Sequence, residues 1–520
     1  MLLRHRLAFV VAAAVAVSAC GQRLIYEAST DPTITTTIAD SDGANATESP
    51  TSPDDSNEND TTQPGTISWE SCSAGPTGTY ECGNLDVPFD YANPSIGTFS
   101  LYLVRRLADS TATRIGSMLV NPGGPGFGGS SVAEQAEWYL SASLLERFDV
   151  IGWDPRGTGK STPAVDCVDN YDRYFGIDSP PNDAAAKQAM VDLTQEFVDE
   201  CVERNGEMLQ YISTESSARD MDAIRRALGE EKITYFGFSY GSELGATWVT
   251  LFPDTVRAAV FDGASDPNAS GFDQAISQLK GFEQQLDAFL ADCAKRPTCA
   301  IYNGGKPAAL FDKLVKDIDV KPVATTAGRT PVTQGVFYTA VVQAMYSNTL
   351  WPVLESALAQ AVQGNGAGLL RLYDDYYQRK ADGTYGNELE AFLAISCLDD
   401  PEASTVAEVD ADVPRFAAAA KRLGENFGYG YACALWPYRV TERVEVTGAG
   451  AGPIVVIGTT GDAATPLAST RKAAANLENG ILIVVEADRH TGYGLNPCVV
   501  KNVDGYLLDL QVPDNETYCR

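Results

Sequence analysis

An apolar run, Ile233-Thr-Tyr-Phe-Gly237-Phe238, leads into Ser239-Tyr240-Gly241 and then into a stretch of helical period from Ser242 to Leu251. A serine flanked two residues on either side by glycine, at a turn from strand to helix, has the pattern of an exposed nucleophile. Small neighbours let the chain turn sharply and leave the hydroxyl outside the turn. The helix that begins there offers unpaired backbone N–H groups to a developing oxyanion. In an ordinary tight turn the same serine would only cap the helix, so the reading depends on partners elsewhere in the chain.

The first partner is a base, because a serine hydroxyl is a weak nucleophile until its proton is taken, and histidine is the usual acceptor. The chain has two histidines, His5 and His490. His5 lies within an export-type leader, which leaves His490, in Asp488-Arg489-His490-Thr491-Gly492, just after the apolar run Ile481 to Glu486. A third group must orient the imidazole, and in α/β hydrolases it lies between serine and histidine in chain order. Asp462 fits, in Gly458-Thr-Thr-Gly461-Asp462-Ala-Ala-Thr465-Pro466 after the run Ile454 to Gly458; Asp488 is the rival by closeness to His490. Thr465 before Pro466 reads as a helix N-cap and first helical residue. An earlier run ends in Asn121-Pro122-Gly123-Gly124-Pro125-Gly126, where backbone N–H groups can approach a bound carbonyl. The N–H of Tyr240 and one from this loop, Gly124 before Gly123, would form the oxyanion hole. Standing alone, the loop would be only a flexible Gly/Pro turn.

The elements around these residues fit that geometry. From Trp69 onward, short apolar runs alternate with helical segments, the signature of a mainly parallel sheet covered by helices. The predicted strands are Phe99 to Val104, Ser117 to Asn121, Phe148 to Trp153, Ile233 to Gly237, Ala258 to Asp262, Ile454 to Gly458 and Ile481 to Glu486. Most are continuous Val/Ile/Leu/Phe runs, as expected for strands buried on both faces. Between Ser265 and about Tyr438 the alternation stops and helix-period stretches follow, including Phe272 to Ala294, Pro307 to Val320 and Ala357 to Arg379. The expected fold is therefore an α/β hydrolase, with a mainly parallel central sheet flanked by helices and a large helical cap inserted between late core strands. The division along the chain is core at 66–264, cap at 265–440 and core again at 441–520.

The first residues read differently. Arg4, Arg6 and the uncharged stretch Leu7 to Val17 have the form of a signal peptide over 1–19, too short to span a membrane comfortably. Val17-Ser18-Ala19-Cys20 resembles the lipobox of bacterial lipoproteins, with Cys20 as the lipidated residue. Residues 20–65 are rich in Thr, Ser, Asp, Asn and Pro, with Arg23 as the single cation, and so predict a disordered tether. Removing Cys20 from the eleven cysteines leaves ten. An even number in an exported chain suggests disulfides. Pairing in succession would join Cys72 to Cys82, Cys167 to Cys201, Cys293 to Cys299, Cys397 to Cys433 and Cys498 to Cys519, a connectivity that sequence alone leaves open. A net charge of -31 repels polyanions, so nucleic acid is excluded as a partner and membrane contact is expected only through the lipid. With one histidine after the leader and no Cys-x-x-Cys pair, neither a metal site nor a cofactor is expected.

Taken together, Gly123-Gly124-Pro125-Gly126, Asp154-Pro-Arg156-Gly157-Thr-Gly159-Lys-Ser161, Gly237-Phe-Ser239-Tyr240-Gly241-Ser, Asp262-Gly263-Ala-Ser-Asp266-Pro267, Gly461-Asp462-Ala-Ala-Thr465-Pro466 and His490 resemble the α/β-hydrolase peptidases related to prolyl iminopeptidase. Within that group the chain is most similar to the exported actinobacterial tripeptidyl aminopeptidases, with 441–520 as the TAP-like C-terminal region. Pro122 stands where iminopeptidases carry histidine, which turns the likeness from proline specificity toward the mycobacterial-type lipoprotein proteases. The resemblance implies cleavage of short peptides from a free N-terminus, at the outer face of the cell membrane, with carboxylates of the cap holding the substrate ammonium. Asp399 and Asp400, in Ile395-Ser-Cys397-Leu-Asp399-Asp400, and Glu243 are the candidates. The same triad and hole would also serve a carboxylesterase or lipase, since acyl transfer does not fix the substrate. A peptide-binding lipoprotein without activity is a third reading, opposed by the complete set of catalytic residue types.

Overall fold

The computed structural model describes residues 65–402 and 404–520. The expectations for 1–19, for Cys20 and for the tether up to residue 64 lie outside the described residues. Among the described residues ten strands form one sheet: β1 Glu70–Ser71, β2 Tyr80–Pro88, β3 Thr98–Arg106, β4 Gly116–Asn121, β5 Phe148–Trp153, β6 Ile233–Phe238, β7 Val256–Asp262, β8 Ile454–Thr459, β9 Gly480–Val485 and β10 Thr517–Cys519. Their spatial order is β1-β2-β3-β5-β4-β6-β7-β8-β9-β10. The first four strands in this order pair antiparallel, and from β5 to β10 every pairing is parallel.

Every residue of β4, β5, β6 and β8 is buried, which is why these strands read as unbroken apolar runs. Successive side chains point to opposite faces. Leu119, Ile151, Tyr235 and Phe261 pack with Met221, Ile224 and Trp248 on one face. Met118, Val150, Phe236 and Val260 pack with Leu144, Val503 and Tyr506 on the other. Each such large side chain contributes about 1.5–3 kcal/mol over its exposed state.

Three strands were not foreseen in the sequence. In β2, Leu85 and Val87 are buried while Asp86 is exposed, but the alternation is short and interrupted by Cys82 and Gly83, so no run stands out. The two-residue β1 and three-residue β10 are too short to carry a period.

Between β7 and β8 the chain folds into helices that include Gly271–Lys295, Pro307–Val320, Gln334–Met345, Trp351–Val362, Ala367–Tyr376, Glu388–Leu398 and Val406–Ala419. All of these but Glu388–Leu398 pack around a core of their own, containing Phe289, Phe311, Phe337, Leu358 and Tyr373, which Ala463 and Ala464 from the loop after β8 join; Ala391, Ala394, Ile395 and Leu398 pack instead into the core of the sheet. One expectation is corrected here: the stretch Ala357 to Arg379 is not one helix but the end of Trp351–Val362 and the whole of Ala367–Tyr376. The chain turns between them at Gly364, whose φ is 84°, while the apolar period continues across the break and hides it. The cysteines pair as 72–82, 167–201, 293–299, 397–433 and 498–519, the successive order. Among the described residues no helix is long and apolar enough to cross a membrane.

Candidate active site

Ser239 links β6 to the helix Tyr240–Leu251 with φ 55° and ψ -127°, a strained conformation that side chains rarely adopt. The turn closes so tightly that a β-carbon on Gly237 would lie 2.3 Å from the carbonyl oxygen of Gly241, and one on Gly241 would lie 2.7 Å from that of Asn121. Glycine is required at both places by close approach. The Ser239 N–H donates to the Asp262 carbonyl at the end of β7, at 2.8 Å, and the serine remains partly exposed.

His490 and Asp462 stand on the loops that follow β9 and β8. The imidazole Nδ1 lies 2.9 Å from both Oδ1 and Oδ2 of Asp462. Both residues are buried, at 9% and 4% exposure. The carboxylate is held from several sides. Its Oδ1 accepts from the N–H groups of Ala464 and Thr465, at 3.0 and 2.8 Å, and its Oδ2 accepts from the Thr465 hydroxyl at 3.0 Å. These bonds correct the expected role of Thr465. The N-cap of the helix Leu467–Asn476 is Pro466, and Thr465 instead bonds Asp462, with its hydroxyl 3.3 Å from His490 Nδ1. The rival Asp488 is exposed, and Asp462 is the carboxylate that meets the ring. Burial by itself would favour a neutral imidazole, but attraction to Asp462, their hydrogen bond and the more distant Asp262 outweigh it and raise the pKa of His490 above its ordinary value. The buried Nε2 has no hydrogen-bond partner among the described residues and keeps a free lone pair when Nδ1 carries the proton.

Ser239 and His490 approach the same short segment. Asp262 accepts from the serine N–H, and a β-carbon on the next residue, Gly263, would lie 2.9 Å from His490 Cε1. The glycine loop after β4 lies against the Ser239 turn: a β-carbon on Gly123 would be 2.8 Å from the Tyr240 nitrogen. The Gly123 N–H itself is taken by Asn121 Oδ1 at 2.9 Å. That of Gly124 has no such partner among the described residues, and the N–H of Tyr240, at the start of its helix, has no intrahelical acceptor. The glycine loop and the first turn of the helix Tyr240–Leu251 thus meet beside Ser239, whose Cβ would lie 2.9 Å from a β-carbon on Gly123.

Residues 116–309 match the family described as α/β hydrolase fold, and residues 420–519 match the family described as TAP-like protein. Serine protease Hip1 of Mycobacterium tuberculosis is 34% identical over 486 residues, an alignment covering 87% of this chain and 91% of that protein. The chain belongs to the TAP-like α/β hydrolases. Carboxylesterase B of Mycobacterium tuberculosis is 36% identical over 472 residues, covering 87% of this chain and 89% of that protein. Tripeptidyl aminopeptidase of Streptomyces coelicolor is 30% identical over 463 residues, covering 85% and 84%. The chain is a serine hydrolase.

A small acidic cavity opens beside the helix Tyr240–Leu251 of this TAP-like hydrolase. Glu243 and Asp399 line it with Thr214 and Arg443. Asp399 Oδ2 accepts from the Thr214 hydroxyl at 2.6 Å, and the Thr214 oxygen also meets the Tyr240 hydroxyl, so the cavity is bonded to the residue that follows Ser239. Burial pushes Asp399 up to about 6 against the pull of Thr214. Burial likewise pushes Glu243 up to about 7, although Arg443 Nη1 stands 4.0 Å from its Oε1. Asp400, the third expected amine ligand, does not line this cavity; its Oδ1 accepts from the Glu402 N–H at 3.2 Å, and the turn after the helix Glu388–Leu398 carries it aside. Thr214, Arg443 and Tyr346 were not singled out in the sequence. The Tyr346 carbonyl accepts from the His490 N–H at 2.8 Å and its ring stands edge-on to the imidazole. None of the three lies in a motif; only folding brings them to the site.

Proposed function

We propose that this chain is a serine exopeptidase that removes short peptides from a free N-terminus. In this reading the Ser239 hydroxyl attacks the scissile carbonyl while His490 Nε2 takes its proton, and Asp462 holds the ring in the tautomer with Nδ1–H and stabilises the imidazolium. The N–H groups of Tyr240 and Gly124 receive the oxyanion. His490 then returns the proton to the leaving amine, and water attacks the acyl-enzyme by the same route to release the peptide acid.

The observation that carries the peptidase reading is the cavity of Glu243 and Asp399, joined through Thr214 to Tyr240. Glu215, Glu243, Asp399 and Glu442 line it beside a single guanidinium, Arg443, so the cavity keeps an excess of negative charge when its carboxylates are ionised, which suits an α-ammonium. An ammonium held at a fixed depth would measure off the residues that precede the scissile bond. Relatives named tripeptidyl aminopeptidase and serine protease support the same direction.

The relative named carboxylesterase B motivates a second reading, an esterase with the same triad. Tripeptide amides with free and with acetylated N-termini, assayed beside a short acyl ester, separate the two. The expected result is turnover of the free peptides well above the acetylated ones. Equal turnover of both would overturn the exopeptidase reading, and turnover of the ester alone would establish the second one. Export and anchoring through Cys20 belong to the same proposal: labelling with a radioactive fatty acid is expected for the intact chain and absent in Cys20→Ala.

A further inference from the structure

We propose that Asp262 is a positioning residue that holds the Ser239 turn and the His490 loop in one frame, an inference that rests on the roles proposed for Ser239 and His490. Asp262 is the last residue of β7, in register with Phe238 of β6 and Ile457 of β8. It therefore stands between the strand that leads to the serine and the strand that leads to Asp462. Its carbonyl accepts from the Ser239 N–H at 2.8 Å. Its carboxylate, with no exposure to solvent, accepts from the N–H of Gly492 through Oδ1 and from that of Tyr493 through Oδ2, each at 2.8 Å. One residue thus grips the backbone of the nucleophile and the backbone just after His490. The next residue, Gly263, lets the imidazole come so close that a β-carbon there would meet Cε1 at 2.9 Å.

The choice of a carboxylate is informative. Each N–H meets its own carboxylate oxygen, and an amide would turn an NH2 donor toward one of them in place of an acceptor. A buried carboxylate without a cation is costly, and among the described residues no Lys or Arg pairs with Asp262. The ionisable groups that face it are His490 and Asp462; those that face His490 are Asp462, Asp262 and Arg489, the last acting against its charge, while the helical insertion contributes the uncharged Tyr346 ring. The cation that acts on this carboxylate is accordingly the imidazolium that forms when the serine is deprotonated. Asp262 supplies both a fixed position for the base and a negative charge that favours its charged form.

The test compares Asp262→Asn with the wild-type full chain by kcat, KM, the pH profile of kcat/KM and the NMR titration of the His490 ring, whose signal is told from that of His5 by its loss in His490→Ala. The variant is expected to lose about ten- to a hundredfold in kcat, the scale of a small misplacement of reacting groups, with little change in KM. Its acid limb and its His490 titration are both expected to move to lower pH. A wild-type kcat together with an unmoved titration would overturn the proposal, and so would a lower kcat with an unmoved titration that Asp262→Ser reproduces, since that pattern marks packing alone. Should neither variant fold, Asp262 is a folding residue and the proposal is wrong. Ser239→Ala keeps this failure distinct from that of the parent reading: an active Ser239→Ala removes the parent, whereas an inert one beside an unaffected Asp262→Asn removes only this inference.

Discussion

His490 Nδ1 stands 2.9 Å from each carboxylate oxygen of Asp462, and the two residues come from loops after neighbouring parallel strands, β8 and β9. The carboxylate cannot swing away, because Ala464, Thr465 and Thr491 all donate to it. The ring is therefore held from its Nδ1 side while Nε2 stays unengaged.

Replacing Asp462 by Asn would leave the shape and remove the charge. The amide can present N–H to Nδ1 and so favour the wrong tautomer, and kcat should fall on the order of a thousandfold or more. Asp488→Asn, at an exposed position, should leave kcat unchanged. Steady-state kinetics of the two variants check both statements.

Ser239→Ala should abolish hydrolysis while shifting the folding free energy by less than about 1 kcal/mol, since the change removes one partly exposed hydroxyl. The strained φ of 55° remains in the variant, so no strain is released. Turnover and denaturant unfolding of the purified variant provide the check.

Activity should fall as pH drops, because only the neutral His490 ring can accept the serine proton. Attraction to Asp462 raises its pKa above the usual value, so the acid limb of kcat/KM should lie above about pH 6.5, the ordinary histidine value. A limb at or below that value would show that the imidazolium is not stabilised in the free enzyme.

Stability should run the opposite way. Burial pushes Asp262 and Asp399 to about 6 and Glu243 and Glu390 to about 7, above the ordinary carboxylate values. The folded chain retains these protons where the unfolded chain releases them, so the stability they contribute is fully present below about pH 4 and is lost as pH rises through 6 to 7. His490 acts in the same sense, its contribution present below about 6.5 and lost as pH passes its raised folded value. Asp172, held low by the Arg329 guanidinium and the Thr330 N–H against the effect of burial, opposes this trend only in more acidic solution. Melting temperatures are expected to be higher at pH 5 than at pH 7.5, and the reverse order would contradict the burial of these groups.

Glu243→Gln and Asp399→Asn should raise KM for peptides with a free N-terminus by about tenfold each, the loss of one charge-assisted contact of roughly 1.5 kcal/mol, while turnover of a small acyl ester stays near wild type. An equal loss on peptide and ester would place both residues in the support of Tyr240 rather than in amine binding.

Much of this architecture is legible in one dimension because its signals are local. A strand buried on both faces must be a run of apolar residues, so β4 to β9 announce themselves, and a serine between glycines at the end of such a run marks a sharp turn. Asp462 and His490 could be nominated by the same means, each following an apolar run in the order serine, aspartate, histidine. The strands β1, β2 and β10 could not, being short or half-exposed, and the break at Gly364 was masked by an apolar period that continues through it.

The remainder depends on contacts between distant segments, which leave no trace in spacing. The acidic cavity is assembled from residues 214, 243, 399 and 443, on four separate stretches of chain, and the same assembly excludes Asp400, the immediate neighbour of Asp399. Thr465 looks like a helix cap until folding turns its hydroxyl onto Asp462. Asp262 stands in the sequence only as the first residue of a motif, and the register of β6, β7 and β8 together with its bonds to Gly492 and Tyr493 shows that it joins the Ser239 turn to the His490 loop. By itself the sequence determined which residue types stand at the ends of which strands, because local periodicity and turn chemistry are written in adjacent residues. The tertiary structure alone decided which of them touch, because hydrogen bonds and burial depend on distances that the chain must fold to create.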